Sequence, residues 1–182
     1  MFVSAAASLP AQVVVPAFDV LYEEQVDAVW RLLERLGVPS FGLEDAVQEV
    51  FLIAHRKLTG FRGDSSVKTW LGGIAVRVAK DARRSHARKG SLERALQSDS
   101  AGTAPALSID HSIDQQRALA HLLQLLEQLD EDQRTLFVCA ELQEMTAPEI
   151  AAATGVNLNT VYTRLRAARQ HFNALVAKAG SV

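Results

Sequence analysis

The 182-residue chain lacks the features of disulfide-linked, membrane-spanning or strongly basic proteins. A single cysteine, Cys139, lies in an apolar helical run, so it cannot form an intramolecular disulfide, and a cytoplasmic location is expected. We interpret Cys139 as a small core residue. No apolar run is long enough to span a bilayer, so we expect no membrane insertion. The formal net charge of −2 does not suit a protein that coats DNA unaided, so any DNA binding must come from local patches or from a larger assembly.

Signatures of catalysis are also missing. The five histidines are scattered, with no H-E-x-x-H motif and no Cys/His cluster of zinc spacing. The sequence has no P-loop, no G-x-G-x-x-G run and no G-x-S-x-G run. We therefore expect no catalytic residue, no metal, no cofactor and no enzymatic activity.

Hydrophobic periodicity predicts an all-α protein of two small helical domains joined by a flexible linker. Residues 1–17 lack the basic n-region of a signal peptide and contain two prolines, so we interpret them as a flexible tail. Residues 18–90 are expected to form the first domain and residues 113–178 the second. Residues 91–112, which contain SDSAGTAPALS, are the predicted linker, although residues 92–97 can extend the preceding helix.

The segment from Thr146 to Phe172 predicts a helix-turn-helix at the end of the second domain. Thr146 and Glu149 fit a T-x-x-E capping box, Gly155 supplies the turn, and Asn157 is a suitable N-cap for the second helix. A plain structural hairpin would satisfy part of this pattern. The polar outer face of the second helix favours DNA recognition instead. That face consists of Asn159, Tyr162, Thr163, Arg166 and Arg169.

Basic residues follow helical spacing along the last predicted helix of the first domain, at Arg77, Lys80, Arg84 and Arg88. Two interpretations remain open. The macrodipole favours a solvated helix with a basic C-terminus, and the same stripe would suit a surface that tracks phosphates. The stretch before it mixes cations and short polar side chains with Phe61 and Trp70. Those aromatic rings can stack on unpaired bases or belong to the core.

An acidic face is predicted on the second helix of the first domain, at Glu44, Asp45, Gln48 and Glu49. Acidic residues in a first turn are common because they complement the helix dipole. The alternative is a docking surface for a basic partner.

Two long runs resemble the extracytoplasmic-function, or group IV, sigma factors of bacterial RNA polymerase. The run LEDAVQEVFLIAHRKLTGFRGDSSVKTWLGGIAVRVAKDARR resembles region 2, and LEQLDEDQRTLFVCAELQEMTAPEIAAATGVNLNTVYTRLRAARQHF resembles region 4. The resemblance implies a factor that binds core RNA polymerase, directs it to promoters with −10 and −35 elements, and promotes melting of the DNA. It also implies control by an anti-sigma factor.

The resemblance further implies roles for residues at matching positions, with the largest and second-largest polymerase subunits and promoter DNA as partners. Polymerase contacts fall on Asp45, Gln48, Glu49 and Leu52. Contacts to the −10 element fall on Phe61, Arg62, Asp64, Ser65, Lys68, Trp70, Arg77, Lys80 and Arg84. Contacts to the −35 element fall on Asn159, Thr160, Tyr162, Thr163, Arg164 and Arg166.

The sequence departs from the family pattern at two places. Arg77 stands where the family often has Asn, after Gly72 and Gly73 in place of bulkier residues, and Tyr162 stands where many members have Lys. The preferred bases near these positions stay open. The alternatives are a dimeric helix-turn-helix regulator and an enzyme or helical adaptor. A regulator has no need of the FRGDSSVKTW stretch, and an enzyme or adaptor would require a clustered polar pocket.

Overall fold

The computed structural model describes residues 17–96 and 113–179. Seven α-helices cover most of these two ranges, which contain no β-strand. The all-α prediction is therefore confirmed. Residues 1–16 of the predicted tail and residues 97–112 of the predicted linker lie outside the described residues.

Three helices form the first domain: α1 (Phe18–Arg35), α2 (Leu43–Lys57) and α3 (Val67–Leu96). All three pack against one another, because each buries one apolar stripe. Leu33, Val50 and Ala75 are completely buried at their centre. The predicted end of the first domain was residue 90, but α3 continues to Leu96. The sequence allowed for this, because residues 92–97 could extend the helix.

The second domain contains α4 (Ile113–Glu127), α5 (Glu131–Phe137), α6 (Ala147–Thr154) and α7 (Leu158–Ala179). Asp130 is the N-cap of α5, because its Oδ1 accepts a hydrogen bond from the backbone N–H of Gln133 at 2.8 Å. The helix then widens into a π-helical turn at Val138–Leu142. Cys139 in this turn is completely buried, and burial raises the pKa of its thiol to about 12. The prediction of a core cysteine is confirmed.

The helix-turn-helix consists of α6 and α7, with local structure as the sequence predicted. The backbone N–H of Thr146 donates to the Glu149 carboxylate at 2.7 Å in a capping box. Gly155 ends α6 in the left-handed region, at φ +72°. Asn157 Oδ1 then accepts from the N–H of Asn159 at 2.9 Å and caps α7. The apolar stripe of α7, with Val161, Leu165 and Ala168 buried, holds the second helix against the domain.

The two domains share one continuous hydrophobic core, because α3 of the first domain packs directly against α6 of the second. Val76 on α3 and Ile150 on α6 are both buried in it. Across residues 17–96 and 113–179, no helix has both the length and the apolar character needed to cross a membrane.

Candidate DNA and polymerase interfaces

The predicted polymerase contacts lie together on one face of α2. Asp45, Gln48, Glu49 and Leu52 are all exposed, at helical positions i, i+3, i+4 and i+7. The opposite face, which includes Val47 and Val50, is buried in the first domain. Leu52 keeps 54% of its surface exposed next to two carboxylates. The structure thus brings all four residues onto one acidic and apolar patch.

The loop between α2 and α3 holds four of the nine predicted −10 contacts, and the other five lie on α3. Ser66 caps α3 through a hydrogen bond of 3.0 Å from the Thr69 N–H. Arg62 and Asp64 form an ion pair at 3.5 Å, with both side chains at least 80% exposed. At such exposure the pair contributes little to stability, so both groups remain available to a ligand. Ser65 is half-buried beside them.

Phe61 and Trp70 close this loop against the first turn of α3. Their ring centroids are 5.2 Å apart, with an angle of 52° between the planes. Both rings are half-buried, and Trp70 also packs against the core. The core interpretation therefore holds in part for Trp70. Both rings keep surface that reaches solvent, and their stacking on unpaired bases stays a prediction.

The basic edge of α3 is exposed at Arg77, Lys80, Arg84 and Arg88. Arg77 nevertheless reaches the second domain. Its Nε donates to the carbonyl oxygen of Ala153 at 3.3 Å, and a terminal nitrogen donates to that of Ala152 at 3.2 Å. Lys68, one of the predicted −10 contacts, lies 3.8 Å from the Glu144 carboxylate of the second domain. Thus α6 occupies the basic edge at Arg77, and Glu144 before α6 lies against Lys68.

The predicted −35 contacts lie on α7. Asn159, Tyr162, Thr163, Arg164 and Arg166 are exposed, and Thr160 is half-buried. Tyr162 keeps 56% of its surface exposed, so the outer face of α7 presents a large aromatic side chain. Arg164 forms an ion pair with Asp132 of α5. This ion pair holds the Arg164 side chain against α5. Arg166 is exposed on the outer face of α7.

Sequence reasoning missed the cations that join the two domains. Arg83 donates to the Leu36 carbonyl and, at 3.0 Å, to Glu131, with its side chain only 14% exposed. Arg134 donates to Leu126 at 2.8 Å, and its guanidinium fills the place that a Cβ would need at Gly37. Burial lowers the pKa of Arg134.

The second domain approaches α3 at two adjacent glycines. The adjacent glycines at 72 and 73 leave α3 without side chains where α6 approaches. A Cβ at Gly73 would lie 3.6 Å from the Cβ of Ala153, and one at Gly72 would lie 3.7 Å from the sulfur of Met145. In the sequence alone, these glycines indicate only a departure from the family pattern.

Two family models match the chain, one in each domain. Residues 21–89 match Sigma-70 region 2, and residues 119–172 match Sigma-70, region 4. The chain is 33% identical over 160 residues to the ECF RNA polymerase sigma-E factor of Escherichia coli strain K12, across 85% of this chain and 83% of that protein. The RNA polymerase sigma factor NccH of Alcaligenes xylosoxydans xylosoxydans is 28% identical over 161 residues, across 88% of this chain and 87% of its own length.

Two solved structures share the fold. CnrH, in complex with the cytosolic domain of CnrY, superposes with a TM-score of 0.61 at 23% identity and covers 88% of both chains. The sigma factor RpoE of Bartonella quintana, in complex with the anti-sigma factor NepR, has a TM-score of 0.67 at 22% identity. That match covers 88% of this chain and 96% of the other.

Proposed function

Because the chain belongs to the extracytoplasmic-function sigma factors, we propose that it binds core RNA polymerase, directs it to two-part promoters and promotes DNA melting at the −10 element. The observation that carries this proposal is the combination of an exposed polar α7 in a helix-turn-helix with an aromatic and cationic loop in the first domain. The low net charge agrees with it, because the polymerase would supply most of the sequence-independent affinity.

The face of α2 is the proposed polymerase contact. Asp45, Gln48 and Glu49 would meet the clamp helices of the largest subunit, with Leu52 as an apolar anchor. An exposed leucine beside carboxylates can bury apolar surface while the charges select a basic partner. The second-largest subunit is the other proposed polymerase partner.

The loop between α2 and α3 is the proposed site for the −10 element. Phe61 and Trp70 would stack on unpaired bases, and Arg62 and Lys68 would hold the strand through its phosphates. Asp64 and Ser65 would contribute hydrogen bonds to base edges. Further along α3, the cations at 77, 80 and 84 would follow the upstream DNA.

The outer face of α7 is the proposed −35 reader. Its exposed amide, hydroxyl and guanidinium groups can bond to base edges and phosphates in the major groove. Those groups are Asn159, Thr160, Thr163, Arg164 and Arg166. Tyr162 would contact a thymine methyl group or a sugar, where a lysine would contact a phosphate.

We also propose an anti-sigma factor as a partner and the cytoplasm as the location. RpoE of Bartonella quintana was solved with the anti-sigma factor NepR, and CnrH with the cytosolic domain of CnrY. Acidic and apolar surface on α2 would suit a protein that competes with polymerase. A pull-down that recovers polymerase but never a dedicated inhibitor would count against this partner.

Reconstituted transcription tests the function directly. The purified chain and core RNA polymerase are combined on genomic templates, and transcript starts are mapped to give both promoter elements. We expect initiation only when both proteins are present. The function is wrong if no template supports initiation that depends on this chain. Tight, specific binding of duplex DNA without polymerase would instead favour a dimeric regulator.

A charge reversal on α2 tests the docking face. The double variant Asp45→Lys, Glu49→Lys should weaken binding to core polymerase by about tenfold or more, since placing like charges together costs more than about 1.4 kcal/mol. The control is Glu24→Lys, which reverses an exposed acidic residue on α1. Equal affinities for the double variant and the control would remove this face from the polymerase interface.

A further inference from the structure

A cleft of about 370 Å³ runs between α3 of the first domain and the helices α5, α6 and α7 of the second. Along α3 its lining extends from Val76 to Arg84, which is about 12 Å at a rise of 1.5 Å per residue. Pockets that hold small organic molecules have volumes of about 300–1,000 Å³. The cleft therefore has the size of a site for a small ligand.

The cleft is basic, although the whole chain has a formal net charge of −2. The cations that line it are Arg77, Lys80, Arg83, Arg84 and Arg164. Two of its three carboxylates, Glu131 and Asp132, already form ion pairs with lining arginines, and the third is Asp81. The cleft thus carries two positive charges in excess. A concave site with an excess of one sign of charge attracts and concentrates small ions of the opposite sign.

Lys80 and Arg84 are the cations of the cleft whose side chains have no partner in residues 17–96 and 113–179. Neither side chain makes a hydrogen bond or an ion pair there. Each of the other three cations donates to a carbonyl or carboxylate oxygen. Lys80 and Arg84 lie one helical turn apart, at positions i and i+4 of α3, so their charged ends can contact the same group of a ligand.

A buried hydroxyl group in the same cleft also lacks a partner in the described part of the chain. Thr135 on α5 lines the cleft, and only 9% of its surface is exposed. Its side chain makes no hydrogen bond to any described residue. Buried hydroxyl groups are nearly always hydrogen-bonded, and a hydroxyl group can donate to an anion. The Thr135 hydroxyl is therefore available to a ligand in the cleft.

We propose that this cleft binds a small ligand with a terminal phosphate group, held by Lys80 and Arg84 from α3 and by the Thr135 hydroxyl from α5. A phosphate group carries a charge of about −1.5 to −2 at pH 7 and three strong acceptor oxygens, which matches the excess of two positive charges. Lysine and arginine are usual partners of phosphate. Nucleotides and inorganic pyrophosphate share this chemistry. A nucleotide would also bury its base against the half-buried Val156, which lines the same cleft.

Calorimetric titration of the full chain tests the site, with ADP, GDP, pyrophosphate and adenosine as probes. We expect phosphate-bearing probes to bind at one site per chain and adenosine not to bind. Tighter binding of ADP or GDP than of pyrophosphate would identify a nucleotide site, and equal binding would identify a site for inorganic phosphates. Failure of all three phosphate-bearing probes to bind would overturn the proposal.

A double substitution locates the bound phosphate. Lys80→Gln with Arg84→Gln should weaken binding by about tenfold or more, because it removes two charge-assisted contacts. The control is Arg56→Gln with Lys57→Gln, which removes the same charge from exposed positions at the end of α2, outside the cleft. Equal affinities of the two double variants would overturn the proposal, because the anion would then bind elsewhere.

Thr135→Val tests the hydroxyl group while keeping a side chain of similar shape. It should weaken binding by about tenfold, because a hydrogen bond to a charged group is lost. The stability of the free chain in urea should not fall, because the hydroxyl has no partner to lose in the described part of the protein. Unchanged affinity, or a loss of stability without ligand, would overturn the role of Thr135.

An occupied cleft would withhold Lys80 and Arg84 from promoter DNA, a consequence that rests on the proposed function. In the complex with core polymerase, saturating ADP should lower the affinity for a labelled promoter fragment by about threefold or more, whereas adenosine at the same ionic strength should not. Equal affinities with the two probes would overturn this competition. If the complex fails to select promoter DNA at all, the proposed function is wrong, while the calorimetric titration still reports on the cleft.

Discussion

Gly155→Ala should destabilise the helix-turn-helix through the backbone alone. Gly155 has φ +72°, and a Cβ added there would meet no atom within 4 Å, so the methyl group causes no clash. The left-handed conformation costs an L-residue about 1–2 kcal/mol. Since no new contact offsets this cost, the free energy of unfolding should fall by about that amount. Urea denaturation followed by circular dichroism measures the change.

Gly60→Ala is the matched control. It adds the same methyl group at a position where no atom lies within 4 Å, but Gly60 belongs to a 3-10 turn and lies outside the left-handed region. A methyl group there should leave stability unchanged or raise it by up to about 1 kcal/mol, by restricting the unfolded chain. An equal loss of stability in both variants would refute the argument from φ.

Three further outcomes are expected. Cys139 should resist alkylation in the native protein and react fully after unfolding, as followed by mass spectrometry, because its thiol is buried with a pKa raised to about 12; rapid native labelling would contradict this burial. Asp130→Ala removes the acceptor for the Gln133 N–H, so the free energy of unfolding measured in urea should fall by about 0.5–2 kcal/mol, and by less for Asp130→Asn. Equal losses of stability in the two variants would mean that the helix cap is not the cause. Tyr162→Ala should change stability by less than about 0.5 kcal/mol because the ring is 56% exposed, yet it should alter the preferred −35 base in a randomised promoter pool; an unchanged preference would remove Tyr162 from the reading surface.

Local structure was predictable because each signal acts over a few residues. The capping box at Thr146, the turn at Gly155 and the cap at Asn157 depend on backbone groups within a few positions of one another. Sequence spacing determines such interactions, so the helix-turn-helix could be inferred without any tertiary information. The exposed faces of α2 and α7 could be predicted from the helical spacing of their apolar residues, because the residues outside the buried stripe face solvent.

The docking between domains could not be predicted in this way. Arg77 bonds to carbonyls 75 and 76 positions later in the chain. Backbone carbonyls are the same in every residue, so no feature of the sequence around Ala153 marks them as acceptors for a cation. Arg83 bonds to the Leu36 carbonyl 47 positions earlier, and Arg134 lies against Gly37, which is also far away in the chain. Basic spacing was compatible with a solvated helix end or a surface for phosphates, and it gave no sign that Arg77 and Arg83 bind carbonyls at the ends of other helices.

The two roles of Arg77 are thermodynamically coupled. If its guanidinium cannot bind α6 and DNA together, then docking reduces the affinity for DNA, and DNA binding must oppose docking by the same free energy.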